Sequence, residues 1–128
     1  MATIQWFPGH MAKALREQMP LVDIVFELVD ARVPYSSQNP EIALAAGDKP
    51  RLLIMTKTDL ADPKRLGEWL TYFKEHNQPV LALDSRQQNV SKIVTAKSKE
   101  ILHDKLAEEA AKGLKKRPIR AMCVGVPN

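Results

Sequence analysis

The residue with the most specific chemistry in this 128-residue chain is Asp59, which closes Thr56-Lys57-Thr58-Asp59 directly after the apolar run RLLIM. An ionised carboxylate held there can accept two parallel hydrogen bonds, and guanine offers two such donors on one edge, its ring N–H and its exocyclic amine. Adenine has neither donor on that edge. A site built around a carboxylate rejects the base that leaves it unpaired. Lys57 can lay its alkyl stem along a base or ribose while its ammonium stays among polar groups. Thr56 brings one hydroxyl to the end of the apolar run, and Ser85, after a later run, can turn a backbone N–H toward the guanine carbonyl oxygen. Taken alone, the tetrapeptide reads first as a polar strand exit in which Asp59 caps a turn.

Such residues need a frame. Residues 23–29 (DIVFELV), 51–55 (RLLIM), 79–83 (PVLAL) and 119–124 (IRAMCV) have strand length and near-continuous hydrophobicity, the pattern of strands covered on both faces. Asp62-Pro63 predicts an N-cap and a first helical residue, with Leu66, Trp69, Leu70 and Phe73 following at helical spacing and Trp69 and Phe73 facing the core. A longer pattern from Ser91 to about Lys112 carries Ile93, Val94, Ile101, Leu102, Leu106 and Ala110 on one side, with Gly113 near its end. Helices are also expected over residues 10–19 and 41–46. Alternating strands and helices predict an α/β fold with three layers around a parallel sheet. The loops leaving the strands are Asp30-Ala31-Arg32-Val33-Pro34, Thr56-Lys57-Thr58-Asp59, Asp84-Ser85-Arg86 and Gly125-Val126-Pro127-Asn128. In a parallel sheet they share one rim, and that rim is where a ligand binds.

The last of these loops looks like the first half of a phosphate-binding loop of the G-x-x-x-x-G-K-[ST] kind, whose backbone N–H groups and following helix hold phosphates. The chain carries no second glycine, lysine or Mg²⁺-binding hydroxyl after it, so the expectation is a portion of a longer protein with Mg²⁺ ligands beyond residue 128. Composition narrows the remaining classes. With 45% hydrophobic and 27% charged residues, the chain suits one folded domain. No apolar run approaches the ~20 residues of a membrane-spanning helix, and the N-terminus lacks a signal-peptide core, which predicts a cytoplasmic protein with no membrane partner. A single cysteine, Cys123, excludes an internal disulfide, and with three scattered histidines it offers no zinc spacing. Cys123 is expected to be buried in the last strand, and His76 and His103 to be exposed on helices. The net charge of +4 is local, since residues 92–120 hold nine Lys or Arg against four Asp or Glu. A basic segment is either a solvated face or one that meets phosphate, here through Lys112, Lys115, Lys116 and Arg117. It keeps open a nucleotide-independent RNA-binding module using a basic 92–120 helix, and, as a third reading, an α/β phosphate-binding enzyme indifferent to the base.

Trp6-Phe7-Pro8-Gly9-His10-Met11, the Asp30-Ala31-Arg32-x-Pro34 loop, Thr56-Lys57-Thr58-Asp59, Asp84-Ser85 and Gly125-Val126-Pro127-Asn128 follow one another in an order that resembles ribosome biogenesis GTPase A, a circularly permuted GTPase family. In ordinary GTPases the phosphate loop precedes the guanine loop, whereas here, as in that family, the guanine loop comes first. Permutation changes chain order and leaves the three-dimensional site alone. The resemblance implies a three-layer P-loop GTPase-like fold, circularly permuted and truncated, with residues 1–128 as the N-terminal portion of the GTPase domain. It also implies GTP binding and hydrolysis with Mg²⁺, GTP and GDP as ligands, and a role in assembling the large ribosomal subunit with its precursor and ribosomal RNA as partners. Residues 1–128 alone are expected to be inactive, because phosphoryl transfer depends on electrostatic stabilisation by the phosphate-loop lysine and the metal.

By the same resemblance Thr56, Lys57, Thr58 and Asp59 fall on the N-K-x-D guanine loop, Asp84 and Ser85 on the second base-contacting loop, and Asn128 on the start of the phosphate loop. Thr56 departs from the usual asparagine, and one hydroxyl replaces at most part of what an amide bonds. That bears on affinity rather than on base choice. Asp84 stands where a neutral residue is common, and a second carboxylate near the base costs binding unless it faces solvent or Arg86. For catalysis the family's proposed substitute for a water-positioning glutamine is the histidine of P-G-H-M, here His10, with Pro8-Gly9 as a mobile tether. From its residues alone His10 reads instead as a solvated histidine that opens the first helix. Trp6 and Phe7 are expected to pin the N-terminus onto a missing part of the domain rather than to form an RNA-stacking platform, and Asp30 and Arg32 to brace the loop between strand and helix.

Overall fold

The computed structural model describes residues 4–7, 12–84 and 86–125, with side chains from Leu15 onward. Among the described residues five parallel strands form one sheet: β1 (Ile4–Phe7), β2 (Ile24–Asp30), β3 (Arg51–Thr56), β4 (Val80–Ala82) and β5 (Ala121–Gly125), in the order β1-β5-β2-β3-β4. The helices are α1 (Ala12–Gln18), α2 (Pro40–Ala46), α3 (Pro63–Glu75), α4 (Val90–Ile101) and α5 (His103–Ala111). Side chains alternate across each strand, so the continuous apolar runs feed two cores at once. Val25 and Val29 of β2, with Leu53 and Met55 of β3 and Met122 and Val124 of β5, pack under Leu15, Ile42, Ala46 and Phe73 from α1, α2 and α3. Ile24 and Phe26, with Leu52, Ile54 and Ala121, face the other way and meet Val94 and Leu102. This is the predicted three-layer α/β arrangement. Fully burying a side chain such as Phe26 or Leu52 contributes about 1.5–3 kcal/mol, and that removal from water holds the layers together.

Helix ends follow local chemistry. Asp62 caps α3 by accepting from the Lys64 N–H at 3.2 Å, and Pro63 is its first residue, as the sequence predicts. Gly113 adopts φ 76° after α5, the Gly113 N–H donates to Ala110 and the Leu114 N–H to Glu109, which closes the helix in a Schellman motif.

Two elements differ from the sequence reading. The single helix expected from Ser91 to Lys112 is two helices that meet at Leu102, whose φ and ψ are −92° and 9°. Ser98 is fully buried one turn before the break and its hydroxyl donates to the Val94 carbonyl at 2.8 Å. A serine bonding back along its own helix bends it, and the bend turns buried Leu102 into the core. A basic 92–120 helix is therefore corrected to α4, α5 and a loop leading into β5. The second difference is β1, which pairs in parallel with β5 from Ile4↔Ala121 to Phe7↔Val124. Trp6 and Phe7 thus lie in an edge strand of this sheet.

Candidate functional site

In a parallel sheet every strand delivers its C-terminal residue to the same edge, and here the exits of β2, β3, β4 and β5 meet there. Asp30, the last residue of β2, pairs in register with Thr56, the last of β3. The Ala31 N–H donates to the Thr56 carbonyl at 2.9 Å, and the Thr56 hydroxyl donates to the Val29 carbonyl at 3.2 Å. On the other side the Leu83 N–H donates to the Met55 carbonyl at 3.0 Å, which brings the exit of β4 beside that of β3. Gly125 ends β5 against β2, where an added Cβ would stand 3.0 Å from the Leu28 Cβ and 3.3 Å from its carbonyl oxygen. Only glycine fits that approach without a shift.

The exit of β3 turns at once into a 3₁₀ turn over Thr58–Leu60, entered through Lys57 in the left-handed conformation with φ 58° and ψ 35°. Side chains other than glycine hold that conformation at a cost, and such residues cluster where a loop is shaped for use. The Lys57 ammonium lies 3.7 Å from Asp30 Oδ2. Asp59 is exposed on the turn and accepts no hydrogen bond from another described residue, while Arg86 lies within its electrostatic reach. Asp84 is committed: its carboxylate accepts from Arg86 Nε at 3.0 and 3.1 Å, from Nη2 at 2.6 Å and from the Arg86 N–H at 2.9 Å. The guanidinium bonds hold the Asp84 pKa down at about 2. The charge of Asp84 faces Arg86, the condition under which it does not oppose a ligand.

Thr56, Lys57, Thr58, Asp59 and Asp84 are thereby brought to one rim. Ser85, Asn128 and His10 lie outside the described residues, as do the side chains of Trp6 and Phe7. His76 and His103 are exposed as expected, whereas Cys123 is half-buried rather than buried. Burial raises the pKa of its thiol.

Asp30 does more than brace its own loop. Its carboxylate takes the Arg32 N–H at 2.9 Å and the guanidinium at 3.0 and 2.7 Å, and also faces Lys57. Those bonds from Arg32 hold its pKa at about 2. Glu27 was also missed by sequence reasoning: it is 1% exposed in the middle of β2, accepts from Arg51 Nη1 at 2.7 Å, and accepts the Asn39 N–H at 3.0 Å at the start of α2. A glutamate in the middle of the apolar run DIVFELV was the available signal.

The basic segment is partly spent on the fold. Buried Asp23 accepts Arg117 Nη1 and Nη2 at 2.7 and 2.9 Å, Lys105 Nζ at 2.8 Å and the Arg120 N–H at 2.9 Å, and Arg117 also donates to Glu109. Arg117 is a brace, which corrects its grouping with Lys112, Lys115 and Lys116 as phosphate-facing charges. Lys112 itself pairs with Glu108 at 3.0 Å. A cavity of about 490 Å³, lined by Lys99, Leu106, Leu114, Lys115, Lys116 and Ile119 among others, lies toward the amino end of β5, away from the rim. Among the described residues, no three His, Cys, Asp or Glu side chains gather to hold a metal ion, and no helix is long and apolar enough to cross a membrane.

No family model matches the chain. Over 98% of its length it is 51% identical to ribosome biogenesis GTPase A of Priestia megaterium and 48% identical to that of Bacillus pumilus, covering 45% and 46% of those proteins. Its fold is similar to the crystal structure of GNP-bound YlqF from T. maritima, with a TM-score of 0.64 and 24% identity over 93% of this chain and 43% of that one. The chain thus spans about half the length of the curated relatives it matches. The resemblance carried by the ordered motifs holds along nearly the whole chain, and the α/β fold agrees with it.

Proposed function

We propose that residues 1–128 carry the guanine-recognition part of a circularly permuted GTPase domain, and that the whole protein binds and hydrolyses GTP in assembly of the large ribosomal subunit. The observation that carries this reading is an Asp59 carboxylate left open beside Lys57 at the rim where the strands end, in a chain whose curated relatives are named ribosome biogenesis GTPases. Asp59 accepts the ring N–H and the amine of guanine. Lys57 lays its stem along the base or ribose, and Ser85 donates its N–H to the guanine carbonyl oxygen. Asp84, turned to Arg86, closes the second loop without bringing free charge to the base. Thr58 sets the turn, its carbonyl accepting the Ala61 N–H at 3.2 Å. Thr56 gives its hydroxyl proton to the Val29 carbonyl, which ties the guanine loop to β2 and leaves the hydroxyl oxygen as an acceptor toward the nucleotide. Asn128 begins the phosphate loop, and His10 orients the attacking water.

Mg²⁺ bound beside the phosphates would supply positive charge against that developing during transfer. Ribosomal RNA is the macromolecular partner, met by lysines such as Lys115 and Lys116, and ribosome assembly puts the protein in the cytoplasm. A module that binds RNA through the whole basic segment without nucleotide is disfavoured by the commitment of Arg117 and Lys105 to Asp23.

The test is Asp59→Asn in the full-length protein, with GDP and XDP affinities measured by titration. An amide can donate to the xanthine carbonyl that replaces the guanine amine, so GDP binding is expected to fall at least about tenfold, one charge-assisted hydrogen bond's worth, while XDP binding rises. Equal binding of guanine and adenine nucleotides by the unmutated protein, or an unchanged preference in the variant, refutes the assignment.

A further inference from the structure

We infer that Asp30 is a positioning residue for the guanine loop, its carboxylate orienting Lys57 from the neighbouring strand exit. The inference rests on the guanine reading above and adds to it a residue that does not touch the nucleotide. Asp30 is built to be stationary. It ends β2 in register with Thr56, its N–H donates to the Ser37 hydroxyl at 2.9 Å, and that hydroxyl donates on to the Val33 carbonyl at 2.9 Å. Arg32 grips the carboxylate through its backbone N–H and two guanidinium nitrogens, the longest bond being 3.0 Å. The side chain is 17% exposed, so the charge is partly withdrawn from water.

Lys57 is the opposite kind of residue, a long stem with many rotamers, and its ammonium is 3.7 Å from Asp30 Oδ2. A lysine stem free to wander loses that freedom when a base docks against it, whereas a stem already anchored at its charged end has lost part of it beforehand. The left-handed backbone at Lys57 sets the root of the side chain and Asp30 sets the tip. The exit loop of β2 thus pre-arranges a residue in the exit loop of β3.

The experiment is a double-mutant cycle on GDP affinity in the full-length protein. Asp30→Asn keeps the shape and the acceptor for the Arg32 N–H while removing the charge. It is expected to weaken GDP binding about two- to fivefold, the scale of a partly exposed ion pair. Lys57→Met is expected to weaken it more, and adding Asp30→Asn to Lys57→Met is expected to change GDP affinity no further, although any effect on melting temperature persists in both backgrounds. Equal losses from Asp30→Asn with and without Lys57, or no loss with Lys57 present, overturn the inference while leaving the guanine reading intact. GDP binding that Lys57→Met does not alter, or an unmutated protein that binds ADP as well as GDP, overturns the guanine reading and the inference with it.

Discussion

Asp23→Asn tests whether the basic segment is held to the sheet by one carboxylate. In the native protein this carboxylate is 3% exposed and accepts three side-chain hydrogen bonds from Arg117 and Lys105, and one from the Arg120 backbone. Asparagine keeps a single acceptor oxygen and turns an NH₂ donor toward cations that can only donate. Charge-assisted bonds contribute about 1.5–3 kcal/mol each. The loss is smaller than the sum of them, because Arg117 is 32% and Lys105 43% exposed and water recovers part of their solvation. The expected destabilisation is about 2–3 kcal/mol, read as a lower urea midpoint and a fall in Tm of roughly 10 °C for a chain of this size.

The pH dependence identifies the cause. Burial alone would raise the Asp23 pKa, but the bonds from Arg117, Lys105 and the Arg120 N–H outweigh it and hold the carboxyl well below the usual carboxylate range. A depressed folded pKa means stabilisation that is complete above the unfolded value of about 3.9 and lost as pH falls below it. The gap between native protein and variant is therefore expected to stay constant from pH 7 to 5 and to narrow below pH 4. A gap under about 0.5 kcal/mol, or one that ignores pH, refutes the reasoning; the first threshold is the scale of an exposed pair.

Glu27→Gln is expected to give the opposite slope. Burial raises the Glu27 pKa despite the Asn39 N–H and Arg51, so the native protein's advantage over the variant is complete below the ordinary glutamate value and shrinks as pH rises above it. Unfolding curves at pH 4 and 7 check it, and a gap that widens with pH would mean that Arg51 overcomes desolvation. For the partner surface, Lys115→Glu with Lys116→Glu is expected to weaken ribosome binding and flatten its salt dependence by about two in slope, with stability nearly unchanged. Arg117→Glu is expected to act the other way round, through unfolding, because it confronts Asp23 and Glu109 with like charge. An unchanged salt slope in the lysine double variant removes those two residues from the interface.

The amino-acid sequence alone determined what depends on near neighbours. The Asp62-Pro63 start of α3, the Gly113 stop after α5, the apolar runs of β2 to β5 and the polar residues at their exits are properties of stretches a few residues long, where caps and hydrophobic continuity act. That was enough to gather Lys57, Asp59 and Asp84 at one rim, since parallel strands end together. Tertiary structure alone decided the rest. Four residues, IQWF, become a strand only because β5 lies beside them, and Leu102 breaks a continuous helical pattern because the core needs its side chain. The tie from Thr56 to Val29 crosses 27 residues and the pair of Arg117 with Asp23 crosses 94, so both depend on strand order and on which element covers which face. A charge carries no mark in the chain of the partner that will balance it. For Arg117 that partner is a buried carboxylate of the fold, and for Lys57 it is the exit of the adjoining strand.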